Sequence, residues 1–176
     1  MDRLILCTPT LEFAEDIRQF RKELLEAEDE DSFAGCCFLE DYENVEAWIE
    51  SLTYRANADL CPAGSVPSNV YLAVRISDKR LVGIIDLRHH INHPILGLWG
   101  GHMGYTVRSD ERGKGYAKEM LRLNLQNCKD RGLEKVLITC SRDNTASEKT
   151  ILANGGVFEK EICVDGGYVK RYWITL

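Results

Sequence analysis

A basic, glycine-bearing turn between an apolar strand and an amphipathic helix constrains this chain more than any other feature. The turn covers residues 112–117, Arg-Gly-Lys-Gly-Tyr-Ala. The first N–H groups of a helix have no acceptor inside the helix, and its dipole adds positive charge there. Gly113 and Gly115 keep those N–H groups accessible, while Arg112 and Lys114 add formal charge. The pattern predicts a site for a phosphate or pyrophosphate.

Spacing decides which phosphate-binding family this turn fits. A nucleotide P-loop requires G-x-x-x-x-G-K-S/T and a dinucleotide fold requires G-x-G-x-x-G, and the turn fits neither pattern. Its order Arg112-x-x-Gly115-x-Ala117 resembles the signature R/Q-x-x-G-x-G/A of the GNAT N-acetyltransferase superfamily. The resemblance implies that the turn holds the pyrophosphate of acetyl-coenzyme A (acetyl-CoA). The residues implied to bind it are Arg112, Gly113, Lys114, Gly115, Tyr116 and Ala117.

The apolar periodicity predicts a single α/β domain over residues 1–176, with a mixed, mostly antiparallel sheet flanked by helices. The order of elements is also that of the superfamily. Helices are predicted over residues 11–27, 44–54 and 118–131, and from 144 onward. Strands are predicted over 4–7, 69–76, 80–91, 97–107 and 133–140, with a final hairpin over 157–176. The run 133–140 is typical of a buried parallel strand, and Thr145 with Glu148 fits a capping box.

The resemblance also implies where the pantetheine arm of the coenzyme binds. In the superfamily the sheet opens between the strand that ends here at Val107 and the strand that ends at Cys140, and the arm enters the gap. Backbone groups of Tyr105 and Val107 would then bind the arm, and one N–H would face the oxygen that gains charge during transfer. Asn144 and Ser147, at the start of the next helix, are implied to contact it as well.

The acids and bases best known in the superfamily are missing from their usual positions. Ile151 stands where members often carry a tyrosine acid, seven residues after the asparagine. Gly101 stands where members often carry Glu or His, and Thr139 stands where some carry a glutamate. The usual catalytic assignments therefore do not transfer to this chain.

Other candidates lie near the same strands. His89 or Asp86 is the predicted base, acting directly or through water, since a histidine pKa near 6.5 suits proton removal at neutral pH. Strand alternation places Asp86 and Arg88 on one face and His89 on the other, so Arg88 is predicted to pair with Asp86 or to bind an acceptor carboxylate. Tyr105 is the candidate acid, with Tyr116 and solvent as alternatives.

Two further interpretations of the reactive side chains stay open. The spacing of three histidines suggests a metal site; they are His89, His90 and His93. No fourth ligand completes a pattern, so no metal is predicted. Loop histidines without a role are the other alternative. Cys140 ends a strand that would flank the thioester, which leaves a transient acyl-cysteine as an alternative to direct transfer.

Composition excludes several classes of protein. With 176 residues and 44% hydrophobic content the chain fits one globular domain. No apolar stretch approaches the roughly 20 residues of a membrane span, and the seven scattered cysteines fit a reducing compartment, so a soluble cytoplasmic protein is expected. A pI near 5.3 without a basic-aromatic face argues against nucleic acid as a partner.

Charge is segregated along the chain. Residues 1–60 carry 16 acidic and 5 basic side chains, a net charge of −11, whereas residues 61–176 have a net charge of +5. The second part suits an anionic coenzyme. The first part favours a cationic amine as acceptor, unless its acidic run, residues 26–31, is only a solvated surface.

The sequence leaves two functions open. The first is an acetyl-CoA-dependent N-acetyltransferase that moves the acetyl group directly to a primary amine of a small molecule or peptide. The second is a non-catalytic acyl-CoA-binding or regulatory module of the same fold. The acceptor and the oligomeric state, including a homodimer, are left open.

Overall fold

The computed structural model describes residues 3–27 and 33–176, and these ranges contain seven strands and four α-helices. The order β-α-α-β-β-β-α-β-α-β-β is the predicted one. The strands are β1 (Leu4–Cys7), β2 (Ser68–Arg75), β3 (Leu81–Arg88), β4 (Tyr105–Val107), β5 (Lys135–Ser141), β6 (Val157–Val164) and β7 (Gly167–Thr175). The helices are α1 (Ala14–Glu26), α2 (Val45–Arg55), α3 (Tyr116–Asp130) and α4 (Thr145–Leu152). The acidic run, the candidate solvated surface, lies largely in 28–32, outside the described residues.

The strands form two antiparallel sheets, ordered β1-β2-β3-β4 and β5-β7-β6. This confirms the predicted α/β class, but the parallel-type prediction for 133–140 is wrong, since β5 pairs antiparallel with β7. Its apolar run reflects cover on both faces: Val136 and Ile138 join the core beneath α3, while the segment before β4 lies across the other face. Burial, rather than parallel pairing, explains the pattern.

The two sheets touch at one point and then separate. The His102 N–H donates to the Leu137 carbonyl at 2.8 Å, and the Leu137 N–H donates to Nδ1 of the His102 ring at 2.9 Å. Within the described ranges no other hydrogen bond joins the backbone of β4 or its approach to that of β5. A gap therefore opens between the two strands beyond this junction.

The predicted strand over 97–107 is wrong for most of its length. Residues Leu96–Gly100 form a π-helical turn, and only Tyr105–Val107 forms a strand. The turn is held by distant side chains, because Arg88 Nη1 donates to the Gly100 carbonyl at 2.5 Å and Arg171 Nη1 donates to the Gly97 carbonyl at 2.8 Å. These donors satisfy carbonyls that a strand would have given to a neighbour.

Two apolar clusters fill the space on either side of the first sheet. The predicted stripes of the first two helices are buried as expected, with Ile17 and Phe20 of α1 and Trp48 of α2 fully buried against β2 and β3. Each such side chain contributes about 1.5–3 kcal/mol by leaving water. Helix α3 packs on the opposite face through Met120 and Leu121. Helices thus cover both faces of the sheet.

The start of α4 differs from the predicted capping box of Thr145 and Glu148. Asn144 is the N-cap, and its Oδ1 accepts from the Ser147 N–H at 3.0 Å, so Thr145 is already the first helical residue. Glu148 instead accepts from Lys170 Nζ at 2.8 Å. Asn and Thr both suit the N-cap position, and here Asn144 occupies it one residue earlier than predicted.

Candidate active site

The predicted phosphate turn forms the entry to α3. Gly115 is the residue before the helix and has φ +87°, and Gly113 has φ +74°, so both occupy the left-handed region that suits glycine. A Cβ added at Gly113 would meet no atom within 4 Å. The space beside Gly113 is therefore open, and the first N–H groups of α3 follow directly, an arrangement that suits an anion.

A buried carboxylate that sequence reasoning missed fixes this turn. Glu111 is 1% exposed and accepts from Arg75 Nη1 at 2.9 Å, from Arg80 Nη1 at 2.8 Å and from Lys114 Nζ at 2.8 Å. Burial raises the pKa of Glu111, but the hydrogen bonds from Lys114 and Arg75 outweigh it and the pKa lies below its usual range. In the sequence, the sign of this role was an acidic residue directly before the basic turn.

The other residues of the turn divide between the coenzyme side and the core. Arg112 is exposed, and its Nε donates to the Val107 carbonyl at 3.2 Å. Tyr116 is buried, and its hydroxyl accepts from Arg75 Nη1 at 3.1 Å, which ties the start of α3 to the Glu111 cluster. Ala117 is half-buried against the core. The Tyr116 hydroxyl thus already has a structural partner outside the gap.

Backbone groups of β4 face the gap, as expected for Tyr105 and Val107. The Arg108 N–H donates to the Val82 carbonyl at 2.9 Å, and the Gly104 carbonyl accepts from Asp86 N–H at 3.2 Å. Alternate residues of an antiparallel strand point their N–H and C=O groups to opposite sides. Tyr105 and Val107 therefore direct theirs away from β3 and toward β5.

The Tyr105 side chain crosses the gap to α4. Its hydroxyl hydrogen-bonds the Ser147 Oγ at 2.7 Å, although the two residues are 42 positions apart. Burial raises the pKa of Tyr105 above its usual range, with the nearby Cys140 adding to the rise. The structure thus brings Tyr105, Ser147, Asn144 and Cys140 together, with a protonated hydroxyl among them.

Asp86 is buried and has a partner for each oxygen. Its Oδ1 accepts from the Gly104 N–H at 2.5 Å, and its Oδ2 pairs with Arg88 Nε at 3.0 Å. Burial raises the pKa of Asp86, and Arg88 and the Gly104 hydrogen bond oppose that rise. The predicted pairing of Arg88 with Asp86 is present in the structure. Together they fix Gly104, the residue before β4.

His89 lies on the other face of the sheet from Arg88, beside the end of α3. Its Nε2 donates to the Asn69 Oδ1 at 2.8 Å, and that oxygen also accepts from Arg131 Nη2 at 2.8 Å. Burial, and then the charge of Arg131, lowers the pKa of His89 to about 4. Its role as a base stays a prediction. His102 is likewise lowered to a pKa of about 4, mainly by burial, and serves the strand junction.

The segment between α1 and α2 covers the face of β4 opposite α3. The Thr106 Oγ1 donates to the Ala34 carbonyl at 2.9 Å, and a Cβ at Gly35 would collide with the Gly104 carbonyl. The residue that precedes β4 is therefore in backbone contact with this segment. Two further loops meet nearby, where the His93 Nε2 donates to the Gly64 carbonyl at 3.1 Å.

The described part of the chain shows neither a metal site nor a membrane span. No group of three or more His, Cys, Asp or Glu side chains in residues 3–27 and 33–176 could hold a metal ion. None of the helices in these ranges has the length and apolar content of a membrane span.

Most of the chain matches one protein family. Residues 3–157 match the model of the acetyltransferase (GNAT) domain. This chain belongs to the GNAT acetyltransferase family. Among curated protein sequences, none gives a significant match to this chain.

Solved structures of GNAT acetyltransferases share its fold at low identity. The Microcin C7 self-immunity acetyltransferase MccE, in complex with acetyl-CoA and AMP, has a TM-score of 0.68 and 17% identity, covering 100% of this chain and 94% of its own. RimL, a ribosomal α-N-protein acetyltransferase in complex with coenzyme A, has a TM-score of 0.68 and 18% identity, covering 98% and 94%. A chimera of spermidine N-acetyltransferase SpeG from Vibrio cholerae has a TM-score of 0.63 and 19% identity, covering 98% and 95%.

Proposed function

We propose that this GNAT acetyltransferase moves an acetyl group from acetyl-CoA directly to a primary amine of a small molecule or a peptide. The observation that carries the proposal is the gap between β4 and β5, with backbone groups of Tyr105 and Val107 directed into it and the Tyr105 hydroxyl held by Ser147 at 2.7 Å. MccE is solved in complex with acetyl-CoA and RimL in complex with coenzyme A, which supports the choice of cosubstrate. A cytoplasmic site of action stays a prediction.

The residues of the turn would hold the diphosphate of the cosubstrate. Gly113, Lys114, Gly115, Tyr116 and Ala117 present or border the N–H groups at the start of α3, and Arg112 adds charge beside them. The Glu111 cluster keeps the turn in place before binding. The strand groups of Tyr105 and Val107, with Asn144 and Ser147 opposite, would orient the amide-containing arm in the gap.

Tyr105 would act as the acid. A sulfur leaving group requires a proton, and the hydroxyl of Tyr105 lies in the gap with its pKa raised by burial, so it is protonated at neutral pH. Ser147 positions the hydroxyl. The usual acid of the superfamily is a tyrosine on α4, and Ile151 occupies its position here. We propose that Tyr105, which reaches α4 from β4, takes over this role.

Proton removal from the amine is the least constrained step. A primary amine with a pKa near 10.4 is almost wholly protonated at neutral pH, so a base or water must accept its proton. Asp86 has both oxygens engaged, so we propose that it positions Gly104 and β4, with water relaying the proton. His89 remains the predicted alternative base.

Thiol release from acetyl-CoA in the presence of a panel of amines tests the proposal. We expect acceptor-dependent release, and we expect Tyr105→Phe to lower kcat about a hundredfold with little change in coenzyme affinity, as for loss of a general acid. Tyr71→Phe is the matched control, because Tyr71 is half-buried against the same core cluster. Coenzyme binding without acceptor-dependent release would support the non-catalytic module instead.

A further inference from the structure

A cleft lies beside the segment between α1 and α2. It has a volume of about 370 Å³ and is lined by Phe38, Asp41, Tyr42, Arg55, Pro62 and Ser65. Its walls come from the segment between α1 and α2, from the last residue of α2, and from the loop before β2. The same α1–α2 segment touches the backbone at Gly104, next to the gap.

Arg55 is the cation of this cleft, and no carboxylate neutralises it within the described ranges. Its guanidinium lies 4.9 Å from the centre of the Phe38 ring, and its buried Nε has no hydrogen-bond partner. Several other arginines differ from it, because each of them pairs with a carboxylate. These include Arg75, Arg80, Arg88, Arg142 and Arg171.

The backbone beneath Arg55 is strained in a way that builds this site. Cys37 and Phe38 both adopt left-handed backbone, with φ +50° and +63°, at a cost on the order of 1–3 kcal/mol each. Trp48 holds the turn by donating from Nε1 to the Cys36 and Cys37 carbonyls at 3.1 and 3.2 Å. The held turn presents the Phe38 ring to one face of the guanidinium.

The cleft adjoins the segment that contacts β4 and its approach, since Ala34 and Gly35 lie a few residues before Phe38. Burial, and then the charge of Asp86, raises the pKa of the Cys37 thiol, and Arg55 and Arg88 partly oppose that rise. The surroundings of the Tyr42 phenol, first Ser51 and then Arg55, lower its pKa, although burial opposes them. Asp41 also lines the cleft but forms no ion pair with Arg55.

We propose that the cleft at Arg55 binds an anionic group, a carboxylate or a phosphate, of the acceptor whose amine receives the acetyl group. The inference rests on the proposed transferase function. It names a class of acceptor that differs from the cationic one favoured by the acidic N-terminal part of the sequence. A ring-stacked guanidinium without a carboxylate partner is suited to a planar carboxylate or a phosphate, because its N–H groups form charge-assisted hydrogen bonds to both.

Matched pairs of small amines test the site even though the acceptor is unidentified. The probes are ω-amino acids with two to six methylene groups, their ω-amino amides, and the corresponding aminoalkyl phosphates. Each is titrated calorimetrically into the wild-type protein saturated with coenzyme A. We expect the acids or the phosphates to bind about tenfold more tightly than the amides, the effect of one charge-assisted contact. The better of the two anions identifies the group, and the best chain length reports its distance from the gap.

Variants separate this site from general charge effects. Arg55→Gln should remove the preference for the anionic probes, and Arg55→Lys should keep part of it, because the charge stays while the planar fork is lost. Arg122→Gln is the matched control, since it removes one exposed arginine from α3. Equal binding of acids, phosphates and amides to the wild type would overturn the proposal, as would an unchanged preference in Arg55→Gln.

The same probes distinguish this inference from the proposed function. If amines release thiol from acetyl-CoA at equal rates whether or not they carry an anion, and bind equally, the transferase stands and the anion site falls. If the anionic probes bind preferentially but no amine releases thiol, the anion site stands and the transferase falls.

Discussion

The proposed coenzyme side of this protein is built mainly from backbone groups, and the proposed acceptor side mainly from side chains. The proposed coenzyme side consists of a glycine turn, a helix start and the edge of β4 that faces the gap, so backbone groups would do most of the binding. The proposed acceptor side consists of side chains such as Arg55 and Tyr42, which come from separate segments. The turn needs a short local motif, whereas the cleft joins residues that are distant in sequence, so only the turn could be found from spacing.

The largest effect is expected from a variant that weakens only coenzyme binding. Gly115→Asp should reduce affinity for acetyl-CoA about a thousandfold, because it places a carboxylate where the diphosphate would lie and like charges cost several kcal/mol. Calorimetry with acetyl-CoA measures the loss. Gly115→Asn separates charge from shape.

Gly132→Asp is the matched control for that variant. Gly132 has φ +82° and open space around it, and it lies at the other end of α3. It therefore introduces the same residue on left-handed backbone without approaching the turn. Normal acetyl-CoA binding by Gly115→Asp would show that the coenzyme lies elsewhere.

A smaller effect concerns the junction that both sides share. The folded-state pKa of His102 is about 4, below the unfolded value of about 6.5, so the unfolded chain binds more protons between these values. Stability is therefore complete above pH 6.5 and should fall by on the order of 3 kcal/mol as the pH drops to 4. Urea unfolding from pH 4 to 7.5 measures this slope.

His102→Asn isolates the contribution of this histidine. Asparagine can still accept from the Leu137 N–H but does not titrate, so the slope should become shallower by the His102 share. His89 titrates in the same window and stays in both proteins. An equal slope in the two proteins would remove His102 as the pH-sensitive group of the junction.

The smallest expected effect sharpens the assignment on the acceptor side. His89→Ala should lower turnover by less than about tenfold, since solvent can replace a distant base in proton transfer. A base with a pKa of about 4 is already neutral at pH 6 to 8, so wild-type turnover should not titrate near 6.5 through His89. The kcat profile over this range, with His90→Ala as control, measures both points. A loss of a hundredfold or more would restore His89 as the principal base.

Local patterns predicted the elements and the phosphate turn, and long-range contacts explain what they missed. The order of strands and helices followed from periodicity, and the buried stripes of α1 and α2 were confirmed. The π-helical turn at Leu96–Gly100 depends on Arg88 and Arg171, which are distant in sequence, so the glycine-rich apolar run resembles a strand until the fold is known. The burial of Glu111 likewise depends on arginines from β2 and its following turn.

The candidate site shows the same division. Tyr105 could be named from its place on the strand, but its partner Ser147 lies across the gap and appears only when α4 is placed. Asp86 and Arg88 were predicted on one face and pair there. Arg55 was not singled out, because nothing near it in the sequence shows that its guanidinium lacks a carboxylate in the folded chain.

The crossing of Gly35 over Gly104 has a practical consequence for redesign. At this contact the two main chains touch and leave no room for a side chain. The contact therefore depends on the two glycines rather than on residues farther along either segment. We therefore expect changes in the residues that follow Gly35 to leave the backbone of Gly104 in place. Replacing either glycine would instead shift both at once.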